Sequence, residues 1–192
     1  ETVLTNMYRD EVLDEKDLPK KFFAYTPCFR REAGSYRANE KGLIRMHQFN
    51  KVEMYQFVKP EDANQAMDEL LDRAEELVAG LGMHYRVVKL AAGDCSAGMA
   101  RTYDVEVYIP SIDKYYEVSS ISNARDYQAR RGNMRYKRED GKLEYLNTLN
   151  ASGLATSRLM VGLIETYQNE DGSIDIPEVL RPYMGGVDKI AK

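Results

Sequence analysis

The sequence predicts an α+β domain built on an antiparallel β-sheet flanked by helices. Two stretches place apolar residues at the helical repeat, a series of short stretches is rich in aromatic and β-branched residues, and turn residues lie close enough to join neighbours as hairpins. Strands that occur in runs and are joined by short turns pair antiparallel, whereas regular alternation with helices would predict a parallel sheet.

Taken in order, a charged stretch ends at Pro19, and residues 22–32 read as a strand. Residues 34–42 are polar and glycine-bearing, as a hairpin loop requires, and residues 43–57 read as the returning strand. The two-residue period of that strand puts Arg45, His47, Phe49, Lys51 and Glu53 on one face. Arg30 and Glu32 share a face of the preceding strand by the same rule. From Pro60 to Leu81 the residues Ala63, Met67, Leu70, Leu71, Ala74, Leu77, Val78 and Leu81 follow the helical repeat, with proline suited to the first turn. Residues 84–91, 102–109, 114–121, 133–138 and 143–149 read as strands, the last two joined by an Asp140-Gly141 turn. A final helix is predicted from about Gly153 to Gln168, with Met160, Leu163, Ile164 and Tyr167 inward, before an irregular tail fixed by Pro177 and Pro182.

Composition bounds the function. With 192 residues, 43% of them hydrophobic, the chain can fill one well-cored domain. Its 27 Lys and Arg against 31 Asp and Glu give a net charge of −4, so any contact with nucleic acid rests on a local basic patch. No apolar run is long enough to span a membrane, no secretory signal is expected from the first residues given, and Cys28 and Cys95 have no metal-ligand spacing. Free thiols in a reducing compartment are expected, in a cytoplasmic protein or an organellar one after processing. The chain opens on Glu1-Thr-Val-Leu-Thr5 in what reads as an already structured segment, so a fragment is expected.

Arg30, Arg45, Glu32, Glu53 and Phe49 on one sheet face suit a nucleotide, since guanidinium groups grip phosphate and an aromatic ring stacks on a base. On spacing alone, a solvated strand face with cross-strand ion pairs accounts for the same residues more simply.

Longer matches change that balance. Thr26-Pro-Cys-Phe-Arg-Arg-Glu-Ala-Gly-Ser35 resembles motif 2 of the class II aminoacyl-tRNA synthetases in its seryl form, and Gly42-Leu-Ile-Arg-Met-His-Gln-Phe-Asn-Lys-Val-Glu53 continues it. Thr102-Tyr-Asp-Val-Glu106, Glu117-Val-Ser-Ser-Ile-Ser-Asn123, Gln128-Ala-Arg-Arg131, Thr148-Leu-Asn-Ala-Ser-Gly-Leu-Ala155 with Arg158, and Pro177-Glu-Val-Leu-Arg-Pro-Tyr-Met-Gly-Gly186 resemble the seryl enzymes in the same order. The segment Asp94 to Met99 departs from them, with fewer glycines and aromatics than the family usually shows.

The resemblance implies a class II synthetase-like fold and the C-terminal part of a catalytic domain over residues 1–192, with motifs 2 and 3 but without motif 1 or the N-terminal tRNA-binding arm. It implies activation of L-serine by ATP and transfer to tRNA(Ser), with the charging of tRNA(Sec) left open, in an enzyme that is a homodimer at full length. Arg30 then grips the α-phosphate and the serine carboxylate, Glu32 accepts from the adenine amino group, and Phe49 stacks on the ring. Arg45 and Arg158 hold the γ-phosphate. Glu117 and Ser120 hold Mg²⁺, while Glu1, Glu53, Asn150 and Ser152 frame the serine.

Asn150 and Ser152 have a second, weaker reading as N-caps of the final helix. His47 is expected to be structural, His84 is given no role, and Arg130 and Arg131 are expected to lie on a solvated or ion-paired helix face. Strict alternation would put Glu117 and Ser120 on opposite faces, so a bulge or break near Ser119 is required if both are to reach one metal. Arg37 and Lys41 of the loop 33–41 are expected to approach the tRNA acceptor end. Two other functions remain open for such a chain: a synthetase-like amino acid:carrier-protein ligase, and an inactive paralogue acting as a binding module.

Overall fold

Apolar side chains on both faces of a sheet demand cover on both faces, and the way this chain supplies it determines where a site can exist. The computed structural model describes residues 1–32 and 42–191. Its strands are β1 (Val12–Asp14), β2 (Lys20–Phe29), β3 (Gln48–Val58), β4 (Tyr85–Lys89), β5 (Arg101–Ile109), β6 (Lys114–Arg125), β7 (Arg135–Lys137), β8 (Leu143–Tyr145), β9 (Asn147–Ala155), β10 (Ile174–Asp175) and β11 (Lys189–Ile190). The helices are α1 (Thr2–Thr5), α2 (Ala63–Gly80), α3 (Tyr127–Gly132) and α4 (Thr156–Tyr167). Six strands form the main sheet in the order β2-β3-β9-β6-β5-β4, every pair antiparallel. A small sheet, β1-β7-β8, stands beside it, and β10 pairs with β11 in the tail.

Helices α2 and α4 cover one face. Ala66, Met67, Leu70, Ala74 and Val78 of α2 pack on Val105, Val107, Ile121, Leu149 and Ala151 of the central strands, with Leu159 and Leu163 of α4 alongside. Helix α4 comes close because residue 162 is glycine. A Cβ there would stand 2.5 Å from the Met83 methyl and 3.2 Å from Val107 Cγ2. The opposite face is covered at one end only, where Leu4, Ala129, Met134 and Tyr136, from α1, α3 and the small sheet, pack on Tyr55 and Phe57 of β3.

The α+β class, the antiparallel pairing and the Asp140-Gly141 turn are as the sequence predicts; Gly141 takes a positive φ of 85° between paired Arg138 and Lys142. Several boundaries differ. Strand β2 ends at Phe29 and β3 starts at Gln48, so Arg30, Glu32, Arg45 and His47 lie beyond the ladder and strand alternation does not place them. The predicted strand 143–149 is two strands separated by buried Leu146, and residues 153–155, expected to begin the last helix, belong to β9. Buried on both faces, β9 shows no apolar alternation, and its small residues resemble a helix start. Leu77 and Met160, expected to face inward, are exposed, because each helix buries a narrower stripe than its apolar content implies. The required bulge is present: Val105 pairs with Ser119 and Glu106 with Glu117, leaving Val118 as the extra residue.

These contacts separate two leucine-sized positions on α2. Met67→Ala should cost about 2–5 kcal/mol of unfolding free energy, and Leu77→Ala well under about 1 kcal/mol. Urea denaturation of the two variants measures this, and equal losses would mean that α2 is packed on a different face.

Candidate active site

Where the N-terminal cover stops, the exposed half of the sheet face becomes the floor of a cleft holding about 260 Å³ of free space. Its residues arrive from six parts of the chain. Phe49, Lys51 and Glu53 come from β3, and Asn150 and Ser152 from β9. Glu117, Ser120 and Ser122 come from β6, Arg158 from the first turn of α4, and Glu1 from the segment before α1. Arg30, Glu32 and Arg45 close the top, in irregular backbone flanking residues 33–41.

Register explains the floor. Glu53 lies opposite Ser152, Tyr55 opposite Asn150, and Ser122 opposite Asn150 on the other side, so side chains from three adjacent strands share one face. The extra residue at Val118 resets the alternation of β6. Val118 and Ile121 turn into the helix-covered core, while Glu117 and Ser120 both line the cleft. Without that bulge one of the two would be buried among aliphatic side chains.

The charges alternate in sign. Arg45 pairs with Glu32 at 2.5 Å and Lys51 with Glu53 at 2.6 Å, the Glu53 side chain being almost fully buried. Arg158 donates to the carbonyl oxygens of Ile44 and Glu117 at 3.0 and 3.1 Å and stands 3.6 Å from the Glu117 carboxylate. The Arg30 guanidinium lies over the Phe49 ring, 5.1 Å from its centre. Glu32 is held in the left-handed region with φ 53°, a conformation uncommon for a side-chain-bearing residue, at the point where the chain leaves the sheet.

Every residue expected to bind ATP, metal or serine is thus brought to the lining of one cleft. The N-cap alternative for Asn150 and Ser152 is corrected, since both lie inside β9 and the residue before α4 is Ala155. His47 is structural as expected: its backbone carbonyl accepts from the Arg30 N–H at 2.8 Å, and its Nδ1 lies 3.2 Å from the Arg30 carbonyl oxygen. His84 packs between Tyr108 and Tyr115 on the far edge of the sheet. Arg130 pairs with Asp126 one turn away, in line with an ion-paired helix face. The loop carrying Arg37 and Lys41 lies outside the described residues.

Sequence reasoning gave no role to Lys51 or to Asp104. Lys51 was legible as a member of the Phe49 and Glu53 face. Asp104 is opposite Ser120 on β5, almost fully buried, with its Oδ1 lacking any hydrogen-bond partner. Burial, and then the charge of Glu117, push its carboxyl up to about 6, with a hydrogen bond from Ser120 acting in the other direction.

This oxygen-rich corner suits a hard cation. Glu117 and Ser120 supply a carboxylate and a hydroxyl, and the crowding of Asp104 against Glu117 leaves excess negative charge there. Among the described residues no cluster of three His, Cys, Asp or Glu side chains forms a complete metal cage. A magnesium ion shared between one or two protein ligands and phosphate oxygens fits such a partial set.

Residues 1–167 match the family model described as tRNA synthetase class II core domain (G, H, P, S and T). The chain is 64% identical to serine–tRNA ligase 2 of Clostridium acetobutylicum over 186 residues, which is 96% of this chain and 44% of that protein. It superposes on the crystal structure of seryl-tRNA synthetase from Pyrococcus horikoshii complexed with ATP with a TM-score of 0.94 and 42% identity, covering 98% of this chain and 42% of that one. Against the cytoplasmic serine–tRNA ligase of Naegleria fowleri in complex with AMP the TM-score is 0.91 at 34% identity, over 98% and 45% of the two chains. The chain therefore spans less than half the length of these relatives.

The Asp104 carboxyl gives a pH test of this corner. Its folded value lies above its ordinary one, so the stability contributed by the neutral form is complete below about pH 4 and lost as the pH rises through about 6. In EDTA at pH 8, Asp104→Asn should be more stable than the parent by about 1–3 kcal/mol, the gap closing towards pH 4. Thermal unfolding across that range checks it, and a gap that does not change with pH would contradict it.

Proposed function

This chain belongs to the family of class II tRNA synthetase core domains, and from that premise we propose that it activates serine with ATP as the catalytic core of a serine–tRNA ligase. The observation that carries this reading is the meeting, in one cleft, of three chemically distinct subsites. An aromatic ring and a carboxylate suit a purine, paired cations beside a carboxylate–hydroxyl corner suit a magnesium-bound polyphosphate, and buried polar groups suit a small hydroxylated amino acid.

In this reading Phe49 stacks on the adenine and Glu32 accepts from its amino group. Arg30, already over the ring, reaches the α-phosphate and the serine carboxylate. Arg45 and Arg158 hold the γ-phosphate of a bent ATP. Glu117 and Ser120 hold magnesium, which when bound neutralises the phosphate oxygens. Glu53, Asn150, Ser152 and Glu1 enclose the serine.

A serine carboxylate oxygen forms a bond to the α-phosphorus as the bond to the bridging oxygen of the β-phosphate breaks, and pyrophosphate leaves. A terminal ribose hydroxyl of tRNA(Ser), or of tRNA(Sec), then attacks the seryl carbonyl and AMP leaves. No covalent enzyme intermediate is required, so catalysis rests on positioning and on neutralising the developing charge. The exposed Phe23, Tyr25 and Phe29 of edge strand β2 support association into a homodimer. Two free cysteines accord with a cytoplasmic setting.

Serine differs from alanine by one hydroxyl, and a pocket built to bond that hydroxyl leaves buried groups unpaired when alanine enters. Serine-dependent ATP–pyrophosphate exchange by the full-length enzyme tests the assignment. Arg30→Ala should lower the exchange rate about 10²–10³-fold. Glu53→Gln, which keeps the shape and removes the charge facing Lys51, should raise the serine KM about tenfold or more and leave the ATP KM within about twofold. Unchanged serine dependence in Glu53→Gln would place the serine pocket elsewhere.

A further inference from the structure

Gln128 is not among the cleft-lining residues, yet its side chain is bonded at both ends. It sits in the first turn of α3, on the covered half of the sheet face. Its carbonyl oxygen accepts from the Tyr55 hydroxyl at 2.7 Å and the Thr148 hydroxyl at 2.6 Å, and its amide nitrogen donates to a Glu1 carboxylate oxygen at 2.9 Å. Tyr55 and Thr148 are wholly inaccessible to solvent.

The orientation of this carboxamide follows from its partners. Turned over, it would set its oxygen against the Glu1 carboxylate, two acceptors face to face with no proton between them. Burial pushes the Tyr55 hydroxyl up to about 12, so it remains a protonated donor throughout the range in which the protein works. The charges of Glu1 and Glu53 raise it, and hydrogen bonds with Thr5 and Thr148 act in the other direction. Gln128 therefore ties the segment carrying Glu1 to the rigid floor made by β3 and β9.

We propose that Gln128 is a positioning residue for the amino-acid subsite, aiming the Glu1 carboxylate at the ammonium group of bound serine while touching neither substrate. The inference rests on the serine-activating reading above. Two buried strands fix the carboxamide, and the carboxamide fixes the cleft carboxylate that comes from the segment before α1. An acceptor held by a single fixed donor keeps its remaining lone pairs for the ligand, and a substrate ammonium needs such preorganised acceptors.

Serine-dependent pyrophosphate exchange by the full-length enzyme, with L-serine and ATP varied separately, tests the proposal. Gln128→Glu keeps the size and the acceptor for both hydroxyls and replaces the donor that faces Glu1 with an oxygen. The serine KM should rise about tenfold or more, with the ATP KM and the rate at saturating serine within about twofold. In a Glu1→Gln background the same substitution should change the serine KM less than about twofold, because the repulsion it creates is gone.

Tyr55→Phe, which removes one of the two hydroxyls holding the carboxamide, should raise the serine KM by about two- to fourfold, and it supplies the test if Gln128→Glu does not fold. An unchanged serine KM in Gln128→Glu, an equal rise in the ATP KM, or the same effect with and without Glu1 would each overturn the proposal. A parent enzyme without serine-dependent exchange would instead overturn the functional reading beneath it.

Discussion

A sheet whose two faces are covered unequally is the constraint on which the site depends. Helices α2 and α4 seal one face with aliphatic side chains, whereas the N-terminal segment, α3 and the small sheet seal only the half of the other face that carries Tyr55 and Phe57. The uncovered half is built from the same strands, so its backbone is as fixed as the core beneath it. Polar side chains on that half are held by register, and register is costly to change, because a shift of one residue would send the charged set into the aliphatic core. A floor made of three central strands brings together groups from residues 49–53, 117–122 and 150–152 with little freedom left to lose on binding a substrate.

Much of this was legible in the sequence, for a definite reason. Charged and aromatic residues at the strand period of residues 49–53 have no purpose on a buried face, and the bulge near Ser119 followed from requiring Glu117 and Ser120 to meet. The final helix was misplaced because β9 is buried on both sides and lacks the alternation that marks a half-exposed strand. Asp104 was missed because an aspartate in an alternating strand looks like a solvent-facing residue until its cross-strand partners are known. Gln128 was recognised only as part of a longer match, since a glutamine on a short helix carries no periodic signal, and its three bonds reach residues far away in the chain.

The cleft is also balanced electrostatically before any substrate arrives. Arg45 with Glu32, Lys51 with Glu53 and Arg158 with Glu117 hold opposite charges at short range, so each cation is placed without waiting for phosphate. Such pairs contribute little to stability when exposed, but they preset the geometry, and a polyphosphate with its metal can exchange for the carboxylates at modest cost. Asp104 and Glu117 share the single Arg158 between two carboxylates, and that corner is where a divalent cation gains most.

The most direct test of this account is a crystal structure of the protein with a non-hydrolysable seryl-adenylate analogue, 5′-O-(N-(L-seryl)sulfamoyl)adenosine. The adenine should stack on Phe49 with its amino group at the Glu32 carboxylate, and the serine hydroxyl should reach Glu53 between Asn150 and Ser152. An adenine more than a stacking distance from Phe49, or a seryl group bound away from the β3–β9 floor, would contradict it.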